Sequence, residues 1–125
     1  MAYTTIDDPT KYFNTVTYTG NGASSHAITG VGHQPDWVWI KRRDSAVNHL
    51  LHDFIRGVTK LLVSNSNAAD DVNTNILLGF DSDGFRVGAN SASNVSSGTF
   101  VSWNWKAGGS TSSNSDGDIT STVSV

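Results

Sequence analysis

The sequence contains no cysteine and no glutamate, with a single glutamine (Gln34), one methionine (Met1) and two prolines. Without cysteine, a disulfide framework, a thiolate metal site and a Cys nucleophile are all excluded. All 11 acidic residues are Asp, which favours caps and turns, so the usual Glu-rich and Gln-rich solvated helix faces are missing. Charge is scarce as well: charged residues form 15% of the 125 and the formal net charge is -3, too little for self-repulsion to keep the chain open. The 37% hydrophobic content supplies one core, and the length excludes a multi-domain enzyme. What fills the space is Ser, Thr and Asn, at roughly a third of the chain, with 12 Gly. That mixture predicts an all-β fold of short strands joined by turns.

Long apolar runs are absent too. No stretch approaches the roughly 18 apolar residues of a membrane span. Met1 to Asp8 reads MAYTTIDD, polar and acidic, unlike a secretory signal. A soluble chain made in the cytosol is expected, unless export uses a route that leaves no such segment. A pI near 5.6 argues against a nucleic-acid partner, because such domains gather Lys and Arg on one face to displace phosphate counterions. The basic cluster Lys41, Arg42 and Arg43 reads first as a solvated strand end and second as an anion contact.

Along the chain, Tyr12 to Thr19 (YFNTVTYT) alternates with period two, closes at Gly20-Asn21-Gly22, and predicts a strand for which His26 to Val31 is the returning partner. Asp36 to Lys41 follows Pro35 and has Trp37 and Trp39 on one face and Val38 and Ile40 on the other. Both faces are apolar, which predicts a central strand buried on both sides. His49 to Ser64 predicts two strands joined near Arg56-Gly57, with a helix as the alternative. Asn65 to Asn75 is a polar surface loop. Ile76 to Phe80 and Phe85 to Gly88 flank Asp81-Ser-Asp83-Gly84, a strong hairpin signal. In Thr99 to Lys106 the alternation predicts Val101, Trp103 and Trp105 inward and Phe100, Ser102, Asn104 and Lys106 outward. Ala107 to Ser115 reads as a Gly/Ser linker, and Ile119 to Val125 as a terminal strand in need of a partner. The organisation expected is a sandwich domain over 1–109, then a linker and terminal strand over 110–125. Ile119, Val123 and Val125 are candidates for an intersubunit strand.

Enzymatic chemistry finds no support. Paired carboxylates for glycoside hydrolysis would have to be two Asp, and nearly every Asp has a turn-like context. Asp81-Ser-Asp83 and Asn114-Ser-Asp116-Gly-Asp118 alternate oxygen ligands, but neither fits a calcium-binding EF-hand loop. His49 and His52 point to opposite sides of a strand and make a poor metal pair. No nucleophile elbow, P-loop or dinucleotide fingerprint is present, so no catalytic residue, metal or cofactor is expected. Asp53 and Arg56 read as an ion pair that fixes a turn, or as a ligand contact. Trp37/Trp39 and Trp103/Trp105 read as core filling, or alternatively as a sugar-stacking platform.

Taken in order, TYTGNG (Thr17 to Gly22), ITGVG with QPDWVWIK (Ile28 to Lys41), HDFIRG followed by Lys60, FDSDGF (Phe80 to Phe85) and WNWKAGG (Trp103 to Gly109) resemble a domain of virion proteins of marine tailed phages. The opening TTIDDPTKYF (Thr4 to Phe13) is similar to the start of such proteins. The resemblance implies an antiparallel β-sandwich of the concanavalin A-like or jelly-roll type. It further implies a non-enzymatic structural role in the virion, as tail fibre, appendage or head decoration, for a protein made in the host cytoplasm. The partners expected are other virion proteins, further copies of the chain in a homo-oligomer, and a host-surface glycan, with neither nucleic acid nor membrane among them. Trp37, Trp39, Lys41, Arg42 and Arg43 are the candidate contact residues, and a lectin-like glycan-binding module is the alternative function.

Overall fold

A computed structural model describes residues 8–107 and two further strands, 111–114 and 121–124. After a 3₁₀ turn at Pro9–Lys11, the strands are β1 (Phe13–Thr19), β2 (His26–Ile28), β3 (Trp37–Arg42), β4 (Leu50–Asp53), β5 (Lys60–Val63), β6 (Asp71–Val72), β7 (Leu77–Asp81), β8 (Gly84–Val87) and β9 (Thr99–Trp105). A one-turn helix α1 (Ser91–Asn94) precedes β9, and β10 (Thr111–Asn114) pairs with β11 (Ser121–Ser124). One sheet has six strands in the order β1-β9-β3-β4-β5-β6; a second has three, β2-β8-β7, and every pairing is antiparallel. The protein is an antiparallel β-sandwich.

The core lies between the sheets. Val38 and Ile40 of β3, Leu50 of β4, Leu61 of β5 and Phe100 of β9 face Ile28, Leu77, Phe85 and Val87 of the smaller sheet in one buried cluster. Tyr18 stacks on Phe100 with ring centroids 5.0 Å apart and donates its hydroxyl to the Ser93 carbonyl at 2.8 Å. Burial pushes the phenol's pKa well above its ordinary value, so the hydroxyl stays a donor. His52 also lies in this interior, fully buried. Neither ring nitrogen meets a partner in hydrogen-bonding geometry, although the nearby Lys60 and Val58 backbone weakly favours the proton. Loss of water dominates, and it pushes the imidazole pKa down to about 4.

The carboxylates shape the reversals. Asp8 caps the 3₁₀ turn by accepting from the Thr10 N–H at 3.0 Å. Asp83, in the β7–β8 turn, accepts from Gly30 and Gly32 at 3.0 and 2.7 Å, and these bonds hold its pKa below the ordinary carboxylate value. The docking demands glycine at position 84: its φ is +147°, and a Cβ there would lie 2.0 Å from the Ile28 carbonyl oxygen.

Four expectations need correction. β2 pairs with β8 of the opposite sheet rather than with β1. The 65–75 loop contains β6, which adds two residues to the edge of the large sheet. The expected linker contains a strand, β10, and it is the partner of the terminal strand, with Ser112 opposite Val123. Ile119 and Val125 lie outside the described residues. The fourth correction concerns which way the tryptophans face.

Candidate functional site

In β9 the buried residues are Phe100, Ser102 and Asn104, while Val101, Trp103 and Trp105 stand on the other face and remain half-buried. The predicted orientation is inverted. Polar Ser102 and Asn104 survive in the interior through local partners: Asn104 Nδ2 donates to the Asn14 carbonyl and to Ser102 Oγ, both at 3.1 Å. In β3, expected to be buried on both sides, Val38 and Ile40 are fully buried while Trp37 is 36% exposed. β3 is central in the sheet, as its sequence predicts, but only one of its faces is covered.

Antiparallel register then assembles an aromatic surface. Phe13 of β1 lies opposite Trp105 of β9, which lies opposite Trp37 of β3, which lies opposite Asp53 of β4. One step along, Thr15, Trp103, Trp39, Leu51 and Leu62 form a parallel row. Side chains two residues apart on a strand share a face, so both rows project from the outer side of the large sheet. The rings touch in series. Phe13 and Trp105 have centroids 4.9 Å apart, Trp105 and Trp37 are stacked at 4.8 Å, and Trp39 meets Trp103 at 5.5 Å. Trp39 Nε1 donates to His49 Nδ1 at 3.0 Å, which places the proton of a neutral His49 ring on Nε2.

Two open pockets flank the β3 tryptophans. One, of about 250 Å³, is lined by Trp39, Trp103 and Trp105. The other, of about 340 Å³, is lined by Trp37, Leu51, Leu62, Asp53 and Arg56. Its polar pair is fixed by the β4–β5 turn: Asp53 accepts from the Arg56 N–H at 2.8 Å and from Arg56 Nε at 2.5 Å. Gly57, at φ +86°, closes that turn with its N–H on the Asp53 carbonyl. The Asp36 carbonyl ties the turn to the start of β3 by accepting from the Phe54 N–H at 2.8 Å. Partial burial opposes the Asp53 charge, but the Arg56 hydrogen bonds and guanidinium outweigh it and lower the carboxyl pKa.

The basic cluster does not gather. Lys41 folds onto the next turn, donating to the Ser45 and Val47 carbonyls; Arg42 pairs with Asp44 at 2.6 Å; Arg43 is exposed. Of the candidate contact residues, Trp37 and Trp39 share the aromatic surface. Trp103, Trp105, Phe13, Asp53 and Arg56 join them. Among the described residues, no three His, Asp, Cys or Glu side chains gather as a metal site, and Asp81 is paired with Arg86 instead. No helix among them is long and apolar enough to cross a membrane. The sequence offered Trp103, Trp105, Asp53 and Arg56 only as alternative readings and did not mark Phe13, although two Trp-x-Trp strands paired antiparallel put four indoles on one face and Val38 with Ile40 already supplied a core face.

Residues 8–125 match a family described as a domain of unknown function, DUF7483, and the chain belongs to it. No curated protein and no solved structure matches the chain.

Proposed function

We propose that this DUF7483 domain is a non-enzymatic structural component of a tailed-phage particle, whose aromatic outer sheet face attaches it to saccharide on the host surface. The observation that carries the attachment is the set of five aromatic side chains in two adjacent rows, Phe13, Trp105 and Trp37 in one and Trp103 and Trp39 in the other, held outward on the sheet. A sheet face that only had to be solvated would carry Thr, Ser and charge there, as other parts of this chain do. Apolar ring contact with a pyranose, combined with a few fixed polar groups, is what such a surface supplies. The placement in a virion rests on the resemblance of the motif order to phage virion domains. The test is a surface bearing immobilised bacterial glycans: the domain is retained, and Trp103→Ala abolishes retention while the far-UV spectrum is unchanged. Absence of retention on every glycan removes the attachment reading, and absence of the chain from purified particles removes the virion reading.

The assembly part of this reading rests on the edge of the large sheet. Hydrogen bonds Lys106 N–H to Tyr12 O and Gly20 N–H to Gly98 O bracket β1, so the backbone groups of Phe13, Thr17 and Thr19 point away from β9. No described strand pairs with that side. A second copy adding there would satisfy them. Light scattering is expected to give an oligomer for the native chain and a monomer for Thr17→Pro, which deletes an outward N–H; a native monomer overturns it.

A further inference from the structure

Resting on the attachment reading, we infer that the pocket of Trp37, Leu51, Leu62, Asp53 and Arg56 is the primary sugar subsite, and that it takes an uncharged pyranose rather than an acidic one. Trp105 already covers one face of the Trp37 indole, at 4.8 Å and 26° between planes. The remaining ring surface borders the pocket, where Leu51 and Leu62 continue the apolar wall. At about 340 Å³ the space lies at the small end of ligand pockets, which run from about 300 to 1,000 Å³, the size for one sugar ring of a longer chain.

The polar side of the pocket decides the charge of the ligand. Arg56 approaches as a guanidinium, but its Nε and its backbone N–H are both held by the Asp53 carboxylate, so its charge is compensated within the turn. An acidic sugar would have to compete with a carboxylate already in place, and a basic one would meet the guanidinium. The chain's formal charge of -3 adds a general bias against polyanions. What the pair still offers is the terminal guanidinium nitrogens as donors and a free lone pair on each carboxylate oxygen as acceptors. Both side chains remain reachable, at 30% and 28% exposure. Donors and acceptors side by side match neighbouring hydroxyls, each of which both gives and takes a hydrogen bond. The tie from Phe54 to Asp36 and the positive φ of Gly57 hold this pair in place before any ligand arrives.

The experiment is an array of neutral, sialylated, uronic-acid and sulfated glycans probed with the native chain, Leu62→Trp, Trp37→Ala and Trp103→Ala, each checked by thermal melting. Leu62 is an exposed strand residue, so a larger side chain fills the pocket without disturbing the core. Retention is expected on neutral glycans, weakened by about tenfold or more in Leu62→Trp and Trp37→Ala. Preferential retention of acidic glycans overturns the charge assignment. Full retention by Leu62→Trp with loss in Trp103→Ala moves the subsite to the pocket lined by Trp39, Trp103 and Trp105 and leaves the attachment reading standing. Silence on every glycan, with all four proteins folded, overturns both.

Discussion

The two faces of the six-stranded sheet are built from the same strands on opposite rules. Inward, β9 presents Phe100, Ser102 and Asn104; outward, it presents Val101, Trp103 and Trp105. The inner face is limited by the spacing of about 10 Å between packed sheets, which favours Val, Ile, Leu and even small polar residues with local partners over a stack of indoles. The outer face has no such ceiling, so its large rings can pack side by side across the strands. Hydrophobicity therefore marks both faces, and volume separates them. A face that breaks the rule of wet exteriors, with no compensating gain in the core, is where function is expected.

The comparison breaks most sharply under truncation. Phe100→Ala is expected to cost about 3–5 kcal/mol in urea unfolding because it opens a fully buried cavity, whereas Trp103→Ala costs about 1–2 kcal/mol, the worth of a half-exposed ring contact. Equal losses would mean that both faces are core. Acid probes the inner face next. Because the folded His52 pKa of about 4 lies below the unfolded value of about 6.5, the unfolded chain binds the proton first, and stability falls as pH drops between those values. The loss is about 3 kcal/mol, and His52→Leu is expected to flatten that limb; an unchanged slope would show that His52 does not carry it. The smallest effect belongs to Lys60→Ala on the exposed pair with Asp70, within about 0.5 kcal/mol by the same unfolding assay.

Much of the strand plan was legible, because period two and turn chemistry are local. β1, β3, β9, the Asp83-Gly84 hairpin and the β4–β5 reversal at Arg56-Gly57 all follow from neighbours in the sequence. The turn role of Asp8 and Asp53 was legible for the same reason, since their bonds reach two or three residues, whereas the Asp83 bonds to Gly30 and Gly32 span more than 50 residues. Two things were not. The partner of β2 is some 60 residues away on β8, and nothing in three residues encodes that distance. Alternation reveals that Trp103 and Asn104 face opposite ways without saying which way is in; the choice is made by the second sheet, whose three strands meet the Val38 and Ile40 side. Half of the larger pocket, Asp53 with Arg56, could be read as a pair, but its place beside Trp37 emerges only from the β3–β4 register.

The series of ring contacts through Phe13, Trp105 and Trp37 has one more consequence, which is entropic. A lone surface tryptophan samples several rotamers, and a ligand that immobilises it gives up about 0.5–1.5 kcal/mol of freedom for each such side chain. Here each ring is wedged by its neighbour across the strand. That ordering is completed when the sheet forms, so a ligand reaching the outer face meets a surface whose rotational freedom has already been surrendered.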